Sequence, residues 1–228
     1  AAPAALAAAV SGAGGLAVER AAAPGGTSAL SGGLIYLGGG TPIQHACGYT
    51  DTAENMDRFL LAACGPRTDA TKVHAYCEGS VGHYHWLVEH GVPFKGQFHD
   101  EPNREPFADS GLVFSGGEDS WPFTDIADPV PRGHHPQFPD TAGGFLMECL
   151  SAARDQTTAT MLTDARVDRL VVDADGRVAG ALVLADGETR AVRARHGVVL
   201  AAGGFVFTDA LLETYCPPAL APNSAWRV

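Results

Sequence analysis

Positive charge is scarce in this chain of 228 residues: 15 Lys and Arg stand against 26 Asp and Glu, a formal net charge of −11. A nucleic-acid surface neutralises phosphates with clustered basic side chains, and no such patch exists here. Long apolar runs are missing too, and nothing approaches the ~20 residues that a membrane span requires. The apolar first dozen residues have no basic start and are interrupted by Pro3 and Ser11, so they do not read as a signal peptide. Cysteine is sparse. Cys47, Cys64, Cys77, Cys149 and Cys216 are scattered, odd in number, and form no C-x-x-C, which excludes a disulfide framework and suits reduced thiols in a cytoplasmic protein. What the chain does have is small residues. Hydrophobic residues make up 46%, with alanine carrying much of that, and 28 glycines add positions where a helix can lie close on a sheet. The length allows one well-cored domain or two small ones.

Residues 1–10 read as an alanine-rich helix ended at Ser11-Gly12. Leu16-Ala17-Val18 follows as a short buried parallel strand, with Glu19 at its carboxyl end. In a dinucleotide-binding βαβ unit, the acid closing the second strand accepts ribose hydroxyls about 20 residues after the last fingerprint glycine. Counting back from Glu19 puts that glycine near Ala1, so the sequence is expected to begin inside the motif, without its first strand and G-x-G. A solvated strand end is the alternative for a lone Glu. The stretch Pro24–Gly40, PGGTSALSGGLIYLGGG, then mixes glycine with Leu30, Leu34, Ile35, Tyr36 and Leu37. Glycine permits positive φ and close approach, and successive exposed N–H groups bind anions, phosphate above all. A glycine-rich turn under a sheet is the other reading.

Glu19-Arg20, Pro24-Gly25-Gly26-Thr27-Ser28 and Ser31-Gly32-Gly33 resemble the FAD-dependent family of fumarate reductase flavoproteins and 3-ketosteroid dehydrogenases. Residues 34–42, LIYLGGGTP, are most similar to its 3-ketosteroid Δ4-(5α)-dehydrogenase branch. The resemblance implies a Rossmann-like FAD-binding domain, an α/β fold with a parallel sheet and an antiparallel meander, occupying 1–228 but incomplete. It also implies a helical and irregular insertion over 51–156. Glu19 would hold the adenosine ribose, with Arg20 beside it among the cofactor-binding residues, Gly25, Gly26, Thr27 and Ser28 would run along the pyrophosphate, and Ser31, Gly32 and Gly33 toward the isoalloxazine. Relatives continue into a substrate domain with tyrosine-type acid/base residues and a last FAD segment, so this stretch alone is expected to be inactive.

Residues 52–65 suit a helix capped by Thr52 or Asp51. Residues 69–90 suit a longer one with an apolar stripe of Val73, Cys77, Val81, Tyr84, Leu87 and Val88. His74 and Cys77 share a face on it, but no second pair completes a metal site, and no metal is expected. Residues 98–139 have little periodicity and much Pro, Gly, Asp and aromatic content, the mark of a functional or mobile segment. Within them Ser115-Gly116-Gly117 reads as a turn. Arg132, His134 and His135 would either face a ligand or lie solvated at the surface.

Gly143-Gly144 opens a helix over 145–154, then 159–163 reads as a strand. Residues 167–173, 178–184 and 190–194 alternate as an antiparallel meander, turning at Asp175-Gly176 and Asp186-Gly187. The family resemblance sets the backbone of Val167 against the adenine. Residues 197–205, GVVLAAGGF, read as a buried parallel strand entering a small-residue corner. There the resemblance sets Ala202, Gly203 and Gly204 at the nucleotide; a tight strand-to-helix corner is the plain alternative.

The function implied is FAD-dependent dehydrogenation of a 3-ketosteroid-like substrate by hydride transfer to flavin N5, with an electron acceptor as the other partner. A fumarate-type reductase acting on the C=C bond of a carboxylate keeps the same fold. A non-catalytic nucleotide-binding fragment or interaction module is the reading from another class. No catalytic residue is assigned; Tyr36 is the first to examine, against its alternative as a core tyrosine.

Overall fold

The computed structural model describes residues 2–101, 110–206 and 208–220. The expected helix start at Ala1, part of the irregular stretch (102–109) and the irregular tail to Val228 lie outside the described residues. In chain order the elements are α1 (Ala2–Val10), β1 (Leu16–Val18), α2 (Gly26–Leu30), β2 (Ile35–Tyr36), α3 (Pro42–Ala46), α4 (Ala53–Cys64) and α5 (Ala70–Glu89). They continue with β3 (Leu112–Val113), β4 (Gly133–His134), α6 (Gly143–Asp155), β5 (Thr160–Leu162), β6 (Arg166–Val172), β7 (Val178–Ala185), β8 (Glu188–Arg193) and α7 (Asp209–Tyr215).

β1 and β5 pair in parallel, Leu16 opposite Thr160 and Val18 opposite Leu162. α1 buries Ala2, Ala5 and Leu6 and packs on α6 and β1, its alanines letting the helices approach closely. β6, β7 and β8 form the expected meander, in the order β6-β7-β8. Its second turn is a two-residue hairpin with both residues at positive φ, Asp186 at 53° and Gly187 at 77°, the dihedral signature of a type I′ turn. Ala165, Val183 and Ala185 close the base of the meander on Val18 and Leu162, tying it to the parallel pair.

A second core lies over the middle of the chain. Leu37, Ile43, Tyr84, Leu87, Val92, Leu112 and Leu150 are buried together there, beside the small sheet β2-β4-β3. α4 is capped as expected, the Thr52 side chain accepting from Asn55 N–H. On α5 the buried residues are Cys77, Ser80, Tyr84 and Leu87, whereas Val88 is exposed. The apolar stripe is therefore corrected in part: Ser80 earns burial by hydrogen-bonding the Gly38 amide (2.8 Å), and Val88 stands on the outer face.

Within the glycine-rich stretch α2 forms over Gly26–Leu30 once Gly25 has taken φ 129°. One other expectation is overturned. Residues 197–203 form no strand: Val199 and Leu200 are 73% and 72% exposed. Apolar composition favours burial, but a parallel strand also needs a neighbour's free edge. β1 and β5 pair only with each other, and no ladder among the described residues takes up 197–203.

Candidate cofactor-binding site

β1 delivers Glu19 to a corner that three elements share. The Glu19 N–H donates to Leu162 C=O (2.8 Å), and its own carbonyl accepts from Ala165 N–H (3.0 Å). Its carboxylate Oε1 accepts from Ala21 N–H (2.9 Å), which folds the side chain over the strand end. Arg20 lines an open cleft of about 280 Å³ with Asp164, Arg166, Leu184, Ala185, Asp186 and Gly187. Val167 follows Arg166 on β6, pairs with Val183, and leaves its side chain 44% exposed beside a register shift at Asp168. Glu19, Arg20 and the start of the meander thus converge.

Gly25 to Gly33 divides into donors and packing. A Cβ on Gly25 would sit 2.6 Å from Ala29 Cβ, so at φ 129° only glycine starts α2. No side chain caps that helix, so the first-turn N–H groups of Gly26, Thr27 and Ser28 have no partner among the described residues. In front of Gly26 nothing lies within 4 Å. Ser31 is used differently: its hydroxyl donates to Ser28 C=O (2.8 Å) and accepts from Gly33 N–H (3.2 Å), closing its own turn. Gly32 C=O accepts from Ala142 N–H (2.9 Å). A Cβ on Gly33 would lie 2.5 Å from the Ala142 carbonyl carbon, and one on Gly143 would lie 2.4 Å from the Ser28 and Ser31 carbonyl oxygens. Here glycine permits contact between the segment and the start of α6.

Gly38–Gly40 does not serve as an anion cradle. Gly38 N–H goes to Ser80 Oγ (2.8 Å), Gly39 N–H to Asp51 Oδ2 (3.0 Å) and Gly40 N–H to Gln44 Oε1 (3.0 Å). These acceptors belong to a buried polar hub. Arg132 clasps Asp51 through Nε–Oδ2 and Nη2–Oδ1, both 2.9 Å, with the two side chains wholly buried. Asn55 Nδ2 (2.9 Å) and Gln44 Nε2 (3.2 Å) donate to the same carboxylate. Burial pushes the Asp51 carboxyl up, but the bonds from Arg132, Gly39 and Asn55 outweigh it and hold the group below its usual range. Beyond Arg132, His134 Nδ1 lies 3.0 Å from Arg132 C=O, so this nitrogen carries a proton. Nε2 then accepts from the Thr41 hydroxyl (2.7 Å), while Thr41 Oγ1 itself accepts from Gln44 N–H. Burial drives the His134 pKa down to about 4 and keeps the ring neutral.

Sequence reasoning left Arg132, His134 and His135 either facing a ligand or solvated at the surface; all three are buried, which overturns the solvated alternative. It missed Gln44 and the central place of Asp51. The signal was present: Thr41-Pro42-Ile43-Gln44 is a capping box with proline in the first turn, and both reciprocal bonds form. His74 engages Asp57 (2.6 Å), and burial pushes the Cys77 thiol up to about 11. Ala202–Gly204 lies in an exposed, irregular segment, with Gly203 at φ 79°, and no hydrogen bond among the described residues ties it to Glu19 or Gly25–Ser28. The structure therefore gathers Glu19, Arg20 and Val167 and sets Gly25–Gly33 against α6, while no hydrogen bond among the described residues joins 202–204 to either group.

A short parallel pair ending in an acid, an uncapped glycine-led helix and a meander fixed to the strand ends together define a nucleotide-binding α/β protein. The chain belongs to the FAD-binding domain family, whose model matches residues 2–225. It is 30% identical over 184 residues to 3-oxo-5-alpha-steroid 4-dehydrogenase of Comamonas testosteroni, covering 78% of this chain and 34% of that protein. Among solved structures it resembles 3-ketosteroid-delta4-(5alpha)-dehydrogenase from Rhodococcus jostii RHA1, crystallised with 4-androstene-3,17-dione. That likeness has a TM-score of 0.93 and 46% identity, covering 99% of this chain and 48% of the other. It also resembles the open conformation of a flavocytochrome c3 fumarate reductase, with TM-score 0.74 and 26% identity, over 94% of this chain and 34% of that one. The chain thus spans between a third and a half of the length of these relatives. The expected α/β flavoprotein fold and FAD as cofactor are borne out. No helix among the described residues is long and apolar enough to cross a membrane.

Proposed function

We propose that this chain provides the adenosine and pyrophosphate grip of an FAD-dependent oxidoreductase that dehydrogenates a 3-ketosteroid-like substrate. One observation carries the reading: Glu19 and the start of β6 are bonded into one corner, through Glu19 C=O and Ala165 N–H, with Arg20 and Arg166 lining the cleft beside it. The residues present suit the cofactor. A carboxylate at a strand end accepts ribose hydroxyls, and the uncapped N–H groups of Gly26, Thr27 and Ser28 suit the pyrophosphate. Val167, 44% exposed at the start of β6, suits the adenine edge. Ser31–Gly33 continues toward the isoalloxazine, held in place by α6. Ala202, Gly203 and Gly204 border the same nucleotide, offering small residues in open space.

When bound, FAD supplies the hydride acceptor of the dehydrogenation. This chain's part is to hold and orient the cofactor, and an electron acceptor completes turnover. Similarity to the two steroid dehydrogenases supports the substrate class.

The test is an FAD titration of the purified protein, read by flavin fluorescence and melting temperature. Binding with a rise in Tm is expected, and Glu19→Ala should weaken it about 10- to 100-fold, as loss of a charged hydrogen bond does. Glu89→Ala on α5 should leave it unchanged. Equal affinities for the two variants would make the ribose assignment wrong. Bleaching of the FAD-loaded protein by a 3-ketosteroid with an electron acceptor present supports the steroid reading, whereas reoxidation of the reduced protein by fumarate supports the reductase one.

A further inference from the structure

The parallel pair β1–β5 departs from its own hydrogen-bond pattern just past Val18. Thr160 N–H donates to Gly15 C=O (2.8 Å) and Glu19 N–H to Leu162 C=O (2.8 Å), the evenly spaced bonds of a parallel ladder. Continued by one step, that ladder would bring Asp164 N–H to Glu19 C=O and Ala21 N–H to Asp164 C=O. The chain does otherwise. Glu19 C=O accepts from Ala165 N–H (3.0 Å), one residue late, and Asp164 N–H turns to Ala21 C=O (3.1 Å). One residue has been inserted into the strand end, a β-bulge, and that residue is Asp164.

Asp164 holds φ 50°, in the left-handed region, which glycine enters freely, Asn and Asp tolerate, and most other residues avoid. Asp186 is the other non-glycine residue with positive φ among the described residues, and a hairpin turn accounts for it. Asp164 stands between β5 and β6 instead, and its effect falls on Glu19. With the Asp164 carbonyl out of the ladder, Ala21 N–H donates to Glu19 Oε1 (2.9 Å), so a side-chain oxygen fills the place of a strand carbonyl. Ala21 is thus held twice, its N–H by the Glu19 carboxylate and its C=O by Asp164 N–H. The Asp164 side chain is exposed at the cleft that Arg20 and Arg166 also line.

We propose that Asp164 is a positioning residue for Glu19: its left-handed backbone forms the bulge that takes a carbonyl out of the ladder and leaves the Ala21 amide to hold the Glu19 carboxylate. In a regular ladder the strand would occupy that amide, and the Glu19 side chain would lose the donor that fixes its rotamer. A carboxylate offers about four lone-pair sites, so one bond to Ala21 orients the group and leaves acceptor capacity for ribose hydroxyls. Pre-setting that rotamer removes part of the ordering cost of binding. The consequence for FAD rests on the ribose reading of Glu19; the bulge and its bond to the carboxylate do not.

The test compares three substitutions at position 164 by FAD titration. Asp164→Gly and Asp164→Asn keep access to the left-handed region and should bind FAD within about two-fold of the parent. Asp164→Val puts a β-branched residue where φ is positive and should weaken FAD about ten-fold. Added to Glu19→Ala, the same substitution should cost no further affinity, because its effect passes through the carboxylate. In the cofactor-free protein, the NMR signal of the Ala21 amide should move as the Glu19 carboxyl titrates, and stay still in Glu19→Ala and in Asp164→Val. A merely structural role would lower Tm and leave that titration in place. Full FAD affinity or a persisting Ala21 titration in Asp164→Val would overturn the inference, as would additive losses in the double variant. Equal losses in all three variants would overturn it too, assigning the effect to the Asp164 carboxylate in the cleft. If Glu19→Ala binds FAD as the parent does, the ribose reading fails, and the Ala21 titration alone judges the bulge. Should Asp164→Val fail to fold, Asp164→Gly decides: a retained Ala21 titration supports the backbone role, and its loss refutes it.

Discussion

In the first half of the glycine-rich stretch, the amides of Gly26, Thr27 and Ser28 have no partner among the described residues. In the second half, those of Gly38, Gly39 and Gly40 end on Ser80, Asp51 and Gln44. Both halves are glycine-rich, yet the first is left for a ligand and the second is closed by the core. The difference lies in what the neighbouring chain offers. α2 begins with a bare glycine and no capping side chain, whereas Gly38–Gly40 runs beside a capping box and a buried carboxylate. A run of glycines is therefore an anion cradle only where no side chain has already claimed its N–H groups.

The largest effect should come from cutting the closed half at its centre. Asp51→Ala leaves the Arg132 guanidinium buried without its carboxylate and strips the acceptor from Gly39. A loss of about 3–5 kcal/mol is expected, read as a fall of roughly 6–20 °C in Tm. FAD affinity of the molecules that remain folded should change little. If affinity fell and stability held, the two halves would not be separate devices.

Acid should act on the closed half next. The His134 ring sits near pKa 4 when folded, against 6.5 for a free ring. Between those values the unfolded chain takes up a proton that the folded chain refuses, so stability falls as pH drops from 6.5 to 4, by about 3 kcal/mol in all. Above pH 6.5 this contribution is fully present. Asp51, whose folded pKa is depressed below 3.8, adds its own loss only at lower pH. Urea unfolding at a series of pH values should show the first slope, and His134→Gln should flatten it. A slope unchanged in that variant would assign the acid sensitivity elsewhere.

Gly38→Ala probes the same half by volume. Its Cβ would lie 2.8 Å from Asp51 Oδ2, 2.9 Å from Met56 Sδ and 3.0 Å from Arg132 Cδ. Overpacking of that kind costs about 1–3 kcal/mol, which chemical denaturation resolves.

The sequence made the open half readable because its signals are local. The acid-tipped strand at Glu19, the glycine pairs, the Asp186-Gly187 turn and the meander each follow from a few adjacent residues, and each is found. The closed half was not readable in that way. Arg132 meets Asp51 across 81 positions, and Thr41 meets His134 across 93; no periodicity encodes such pairings. The capping box at Thr41–Gln44 was the one local clue. Residues 197–203 failed for a third reason: their apolar pattern is that of a buried strand, but a strand depends on an edge the pattern cannot specify.

That last segment gives the finest test of the comparison, because its glycines are open like Gly26 but carry no contact with the core. At Gly204 the backbone lies outside the left-handed region, and an added Cβ would meet nothing within 4 Å. Gly204→Ala should therefore change the stability of the cofactor-free protein by no more than about 0.5 kcal/mol. If 202–204 borders the nucleotide as proposed, the same methyl occupies ligand space and FAD affinity should fall by roughly ten-fold, or ~1.4 kcal/mol. A variant equal to the parent in both Tm and FAD affinity would detach 202–204 from the site and leave Glu19 and Gly25–Ser28 to hold the cofactor without it. Lower Tm without FAD would instead mean that the segment has a packing partner, placing Gly204 with Gly38 and not with Gly26.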